Sequence, residues 1–600
     1  MSEKIDLPGG ASNVTRREFM GMAGGVMAAA ATGIWPRDGE AKEATVTAPR
    51  PRPAGSTQLR SRPNILFIFT DQERYSPTLP GALSLVGHRR LMESGTTFTN
   101  HYSSAVMCTS SRAVLMTGLQ TCDNGMFENV DMPYVKALST KIPTVGTLLR
   151  QQGYYTAYKG KWHLNRDFDT DTPSRLFSAE MEAYGFADFV WPGDVLAHSL
   201  GGYKNDHMVA GSAISWLRGT GQALSQEGKP WALFVSLVNP HDIMYFNTDA
   251  PGEARQDPGN LLMHATRAPD HPDYRRRWEL PLAATRYQSL TTPDRPAAHR
   301  EFDLAWSHTL GRIPNEDARW QRFNDFYCNS LKSVDHQLVR LLDELAQLGL
   351  EENTMVVFTS DHGEMGGAHG LRGKGPFAYE ESVHVPLMIR HPDVAGGQRC
   401  QSLTSHIDMV PSLLSLCGMP REKMHELAGR VLPGQEIGRA LGNVAASELH
   451  TVRERVLFTY SGLATNDSEL IRLIAEGKAS GKSPQTVLSE TGYRPDLRKR
   501  GSLRTVFDGR FKFSRYFAPI ERNTPTSLEQ LQRWNDLELF DLVSDPQEKV
   551  NLAQDPGQTP QLLAMNGQLN QAIAAEMGID DGREMPAFES INWAMSAIDL

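Results

Sequence analysis

Apolar positions along the chain fall into two patterns. In the first, short unbroken apolar runs close on polar residues. "PNILFIFTDQER" carries such a run from Asn64 to Thr70, with Pro63 before it and Asp71-Gln72 after it. A run without polar alternation predicts a strand buried on both faces. Trp231 to Val238 and Thr354 to Thr359 read the same way, and Tyr154 to Tyr158 is a shorter case. In the second pattern apolar residues recur at helical spacing. It predicts a helix from Thr144 to Gln152, stopped by Gly153, and a long helix through "ARWQRFNDFYCNSLKSVDHQLVRLLDELAQLGL" that ends at Gly349. Strand, helix and strand in alternation predict an α/β fold whose large central, mostly parallel sheet is flanked by helices.

Past about residue 440 the pattern changes. "SLRTVFDGRFKFSRYF" alternates like a hairpin with Asp508-Gly509 at its turn, and "ELFDLVSDPQEKVNLA" follows. Residues 62–440 therefore read as one large domain. Residues 441–600 read as a smaller C-terminal α+β subdomain with an antiparallel sheet and a tail. Residues 243–310 are rich in Pro, Arg and aromatics and show little periodicity. Such a stretch is either a variable surface insertion or a rim that touches substrate.

Composition adds constraints. The 600 residues are 40% hydrophobic and 22% charged, enough for a sizeable core. A formal net charge of -9 argues against a nucleic-acid partner. The five cysteines form no CxxC pair, and Cys122, Cys328, Cys400 and Cys417 read as small core residues. At the N-terminus, Arg16-Arg17, Phe19 and a short run rich in Ala and Gly resemble a twin-arginine export signal over residues 1–41. A Pro-rich linker follows over residues 42–61. The expected location is the periplasm or the exterior, reached through the twin-arginine machinery, and no segment is long and apolar enough for a stable membrane span.

Four predicted strands run into ionisable residues: Asp71-Gln72, Lys161 with His163, His241, and Asp361-His362. In open α/β sheets ligands bind beyond the C-terminal ends of the strands. Asp71, Gln72, Asp361 and His362 would supply oxygen and imidazole ligands to a divalent cation, Ca²⁺ or Mg²⁺ with Mn²⁺ open. For either pair alone helix N-capping by Asp is the better reading, and for both together metal binding is. Lys161, Lys374 and Arg112 are cations for a bound anion, and His163 and His241 suit proton transfer near neutral pH. "CTSSRAVLMTG", Cys108 to Gly118, holds a cysteine that could be a nucleophile, a metal ligand, half of a disulfide, or a residue without a chemical role.

Taken together, "PNILFIFTDQ", "CTSSRAVLMTG", "GYYTAYKGKWHL", "NPHD", "FTSDHGEMGGAHGLRGKGPFAYEESVHVPLMIR" and "ELFDLVSDPQEKVNLA" resemble, in order, the type I sulfatases of the alkaline-phosphatase-like superfamily. The resemblance implies that Cys108 is oxidised to formylglycine by a formylglycine-generating enzyme. It implies one divalent cation, Ca²⁺ first and Mn²⁺ or Mg²⁺ as alternatives, held by Asp71, Gln72, residue 108, Asp361 and His362. Lys161 and Lys374 would stabilise sulfate charge, and His241 or Lys374 would protonate the leaving group. His163 would take a proton from residue 108, and Arg112 would orient that residue. The substrate would be a small-molecule or saccharide sulfate ester. Two departures stand out. Ser110 replaces the usual Pro of the cysteine signature. Asp71-Gln72 replaces the commoner Asp-Asp, as in the branch that holds choline sulfatases and phosphonate monoester hydrolases. A phosphonate monoester or phosphodiester hydrolase is therefore the alternative, and a non-catalytic anion- or sugar-binding protein a third.

Overall fold

The computed structural model describes residues 62–76, 83–168, 177–191, 200–442 and 447–595. The expected export signal and linker, residues 1–61, lie outside the described residues. Eight strands build the main sheet: β1 (Asn64–Asp71), β2 (Thr96–Phe98), β4 (Tyr155–Gly160), β5 (Ala187–Val190), β6 (Trp231–Pro240), β7 (Thr354–Ser360), β8 (Leu387–Arg390) and β9 (Gln398–Cys400). Their spatial order is β5-β4-β6-β1-β7-β8-β2-β9. The strands from β5 to β7 are parallel neighbours, with β1 between β6 and β7, and β8 runs antiparallel to β7 and β2. Every residue of β1, β6 and β7 is buried, which is why these strands read as unbroken apolar runs. A short parallel pair, β3 (His101–Tyr102) with β10 (Thr404–Ser405), lies apart from the main sheet.

The second sheet comprises β11 (Val456–Tyr460), β12 (Ser502–Phe507), β13 (Phe511–Phe517) and β14 (Asp536–Asp541), each antiparallel to the next. Gly509 turns the β12–β13 hairpin at φ 97°, and the Asp508 carboxylate accepts from the backbone N–H groups of Arg510 and Phe511. Helix Thr559–Glu576 lays Leu562, Met565, Leu569 and Ile573 on Leu457, Val506, Phe513 and Leu539 of this sheet. The sheet is also tied to the segment just ahead of Cys108. Thr459 N–H donates to the Ser104 carbonyl at 2.9 Å, and Thr459 bridges Ala105.

Three sequence expectations shift in detail. The helix expected at Thr144–Gln152 spans Val145–Gln151, with Thr144 as N-cap accepting from Gly146 and Thr147 N–H. β4 runs on to Gly160, so Lys159 lies inside the strand and Lys161 directly follows it. β6 runs on to Pro240, since its pairing with β1 continues to Asp71 opposite Pro240. Residues 243–310 are less irregular than their composition indicates. They end in helix Ala297–Leu310, which buries Ala298, Phe302, Ala305 and Thr309 on one stripe. Among the described residues no helix is long and apolar enough to cross a membrane.

Candidate active site

Four adjacent strands, β4, β6, β1 and β7, deliver their following residues to one edge of the sheet. β1 ends on Asp71. Lys161 and His163 follow β4, His241 follows β6, and Asp361-His362 follow β7. The chain leaves β1 and β4 sharply: Gln72 has φ 74° and His163 φ 57°. A left-handed backbone at a non-glycine residue costs roughly 1–3 kcal/mol and persists where surrounding contacts enforce it. Here Gln72 N–H donates to Asp361 Oδ1 at 3.1 Å, and the His163 carbonyl accepts from Thr109 Oγ1 at 2.9 Å.

Cys108 is the first residue of helix Cys108–Thr117 and is 1% exposed. Its Sγ lies 3.2 Å from His362 Nε2 and 3.7 Å from Asp71 Oδ1. Donor atoms of Asp71, Cys108, Asp361 and His362 all fall within 4.8 Å of one another, and all four residues are buried. Two carboxylates and an imidazole converging in a buried space fit a divalent cation. The local electrostatics agree. Burial and the neighbouring Asp71 charge push the Asp361 carboxyl up, a repulsion that a cation relieves. Burial also works against ionised Asp71, but Lys161, His241, Arg112 and His362 outweigh it and hold that carboxyl well below its usual range.

Arg112 lies on the two carboxylates beside residue 108. Its Nη2 donates to Asp71 Oδ2 and its Nε to Asp361 Oδ2, both at 2.9 Å, while Nη1 donates to the Lys161 carbonyl and Ser236 Oγ. A planar fork on two carboxylates sets their spacing. Arg112 therefore acts on the carboxylate pair behind residue 108. Lys161 Nζ donates to Asp71 Oδ2 at 2.8 Å. Lys374 Nζ donates to Gln72 Oε1 at 2.7 Å and sits 3.4 Å from Met244 Sδ. The Gln72 amide in turn donates to Glu364. Gln72 thus links the first strand to the Lys374 loop, and its carbonyl oxygen keeps a second lone pair for a cation.

His163 Nε2 pairs with Asp131 Oδ2 at 2.9 Å. Burial works against its charge, but Asp131 outweighs burial and pushes His163 up to about 9. Burial, Lys161 and Lys374 drive His241 the other way, well below its ordinary value. His163 Nδ1, His241 Nε2 and the Tyr245 hydroxyl are buried without a protein partner. Ser110, at the position of the usual Pro, is buried and its hydroxyl likewise has no partner. The four other cysteines are buried and unpaired by disulfides, as expected.

Sequence patterns bring together Asp71, Gln72, Cys108, Arg112, Lys161, His163, His241, Asp361, His362 and Lys374. They miss Asp131, Glu364, Ser236, Met244 and Tyr245. Ser236 is a lone polar residue inside the β6 run, and Glu364 stands two residues past His362, so both had a signal. Asp131 had none. Part of the 243–310 segment forms the wall of the site: Trp306 lines a cavity together with Met244 and Lys374.

A family model described as Sulfatase matches residues 63–419. The uncharacterized sulfatase YidJ of Escherichia coli (strain K12) is 28% identical over 386 residues, covering 63% of this chain and 70% of that protein. A protein solved in complex with its substrate D-glucosamine-2-N,6-O-disulfate superposes with a TM-score of 0.59 at 18% identity, over 87% of this chain and 99% of that one. The phosphonate monoester hydrolase of Agrobacterium radiobacter superposes with a TM-score of 0.58 at 20% identity, over 86% and 96%. At such identities the two structures speak to the fold.

Proposed function

The chain belongs to the sulfatase family of sulfuric ester hydrolases, and from that premise we propose that it hydrolyses a sulfate monoester at the Cys108 site, releasing sulfate and an alcohol or phenol. The observation that carries the proposal is the convergence of Asp71, Cys108, Asp361 and His362 within 4.8 Å. Lysines 161 and 374 and histidines 163 and 241 stand around this group.

Cys108 is proposed to become formylglycine, whose hydrated aldehyde offers one hydroxyl to attack sulfur and a second through which sulfate is released. Asp71, Gln72, Asp361 and His362 would hold a divalent cation, Ca²⁺ by its oxygen ligands, and that cation would supply Lewis-acid stabilisation of negative charge. Lys161 and Lys374 bind sulfuryl oxygens as point charges. His241 gives a proton to the leaving oxygen. The lysines that depress it in the free site are countered by the negative charge of a bound sulfate ester. His163 takes the proton of the second hydroxyl of residue 108, with Asp131 holding its ring. Cationic charge beside His163 opposes the rise that Asp131 causes and favours the neutral base. Arg112 fixes the two carboxylates. Trp306 and the apolar wall near Lys374 receive the alcohol portion, and a saccharide or small-molecule ester suits them.

A panel of an aryl sulfate, an aryl phosphodiester and an aryl phosphonate on matured protein tests the reaction. The highest kcat/KM is expected for the sulfate. The second reading, a phosphonate monoester hydrolase, is favoured by the neutral Gln72 where a second carboxylate is commoner, and faster phosphonate turnover would establish it. Mass analysis of the peptide holding residue 108 tests maturation by a formylglycine-generating enzyme. Only unmodified cysteine from a host that matures sulfatases would refute it. We further propose export to the periplasm or beyond by the twin-arginine route. Changing Arg16-Arg17 to Lys-Lys should then retain the protein in the cytoplasm, and unaffected export would overturn this.

A further inference from the structure

Two of the buried, partnerless polar atoms near Cys108 belong to His163 and His241, which the proposed chemistry employs. The Tyr245 hydroxyl belongs to neither the cation group nor the proton-transfer set. Tyr245 closes the tight 3-10 turn His241–Tyr245 that follows β6. Its carbonyl accepts from Thr266 N–H at 2.7 Å, its ring is packed into the main core, and that ring lies 5.7 Å from the His241 ring. The side chain is 2% exposed. Held at the backbone and along the ring, the phenol cannot turn its hydroxyl out to water.

Its surroundings locate the hydroxyl. The titratable groups near enough to act on it include Asp131, Cys108, Asp71 and Asp242. These are the partner of His163, the proposed nucleophile, a carboxylate of the cation group, and the residue next to His241. The carboxylates have partners of their own. Asp71 Oδ2 accepts from Arg112 and Lys161, Asp131 Oδ2 pairs with His163, and Asp242 accepts from Gly202 and Tyr203 N–H. Burial, together with these acidic neighbours, raises the phenol well above its ordinary pKa, so it keeps its proton and has it to donate.

A buried donor without an acceptor is costly, and a phenylalanine would fill the same space without that cost. The hydroxyl makes sense when an acceptor arrives. The acceptor that the proposed reaction brings to residue 108 is an oxygen of the sulfuryl group. We propose that Tyr245 is a further substrate-binding residue, whose hydroxyl donates a hydrogen bond to a non-bridging sulfuryl oxygen on the residue-108 side of the site. The proton stays on the phenol throughout. Lys161 and Lys374 already bond within the protein, whereas Tyr245 gives up no internal bond to bind substrate.

This assignment rests on the sulfate-ester reading above, and Tyr245→Phe tests it. On matured protein the variant should lose about ten- to hundredfold in kcat/KM for an aryl sulfate. Calorimetry should show inorganic sulfate binding about tenfold more weakly. The melting temperature should hold or rise, because the change removes a partnerless buried donor. Wild-type kcat/KM and sulfate affinity in the variant, within about twofold, would overturn the assignment. So would lost activity with a lower melting temperature and unchanged sulfate affinity, the signature of a structural role. If wild-type protein turned over no sulfate ester, the sulfatase reading would fail on its own. Sulfate calorimetry on the two proteins would still decide whether Tyr245 binds the anion.

Discussion

The active site has two halves built on opposite principles. Around Asp71 and Asp361 the polar groups are closed on one another: Arg112 alone makes four hydrogen bonds, two of them to these carboxylates. Across the site, His163, His241 and Tyr245 each leave one buried polar atom without a protein partner. The closed half takes its geometry from bonds that the chain makes to itself. The open half, on the function proposed above, is completed by what binds. Preorganised charge is set in the first and recognition is left to the second.

The largest effect is expected from breaking the closed half. Asp361→Ala leaves Arg112 facing one carboxylate and removes a cation donor. Activity should fall by about a thousandfold or more, and elemental analysis should show metal lost while circular dichroism shows the fold kept. Full metal and activity in that variant would place the cation elsewhere. Next comes the open half. His241→Ala should slow esters with poor leaving groups by about 10²- to 10⁴-fold and activated aryl esters far less, since only the former need the proton. Equal slowing of both would move the acid role to Lys374. A subtler break is Arg112→Lys, which keeps the charge and loses the fork. About a 10- to 100-fold drop in kcat is expected, with Asp71 and Asp361 less well held. An unchanged kcat would mean that charge alone suffices.

The smallest effect on activity concerns the support behind the closed half. His88 is buried between Glu73, at 2.8 Å, and Asp335, at 2.7 Å. Burial opposes its charge, but the two carboxylates prevail and push it up to about 10. A raised pKa stabilises the fold fully below about pH 6.5, and that contribution is lost as pH climbs to about 10. His88→Leu should cost about 3–5 kcal/mol near neutral pH. Denaturant midpoints at pH 6 and pH 9.5 check the sign: the gap to wild type should narrow at the higher pH. A gap that widens would contradict the pairing.

How far the sequence can be read follows from the same division. Asp71, Lys161, His241 and Asp361 were legible because each follows a buried apolar run, and a parallel sheet gathers such ends on one edge. Arg112 was found but its carboxylate partners were not, for a four-residue spacing from Cys108 says nothing about which way the guanidinium turns. Asp131 and Tyr245 carried no signal. Asp131 stands in a loop without periodicity, and Tyr245 reads as one more aromatic in the 243–310 stretch. The helix at Ala297–Leu310 was hidden because His299 and Thr309 are polar residues on its buried stripe.

The bond from Thr459 to Ser104 also acts as a clock. Several hundred residues separate the two along the chain, so at about 5–20 residues per second a ribosome takes some tens of seconds to supply the later partner. Until then the segment just ahead of Cys108 lacks this anchor, and in the folded chain Cys108 is buried. On the maturation proposed above, the modifying enzyme has that interval in which to reach the side chain before it is buried. Slower translation between residues 108 and 459 should therefore raise the modified fraction, and faster translation should lower it, with no change in the sequence of either protein.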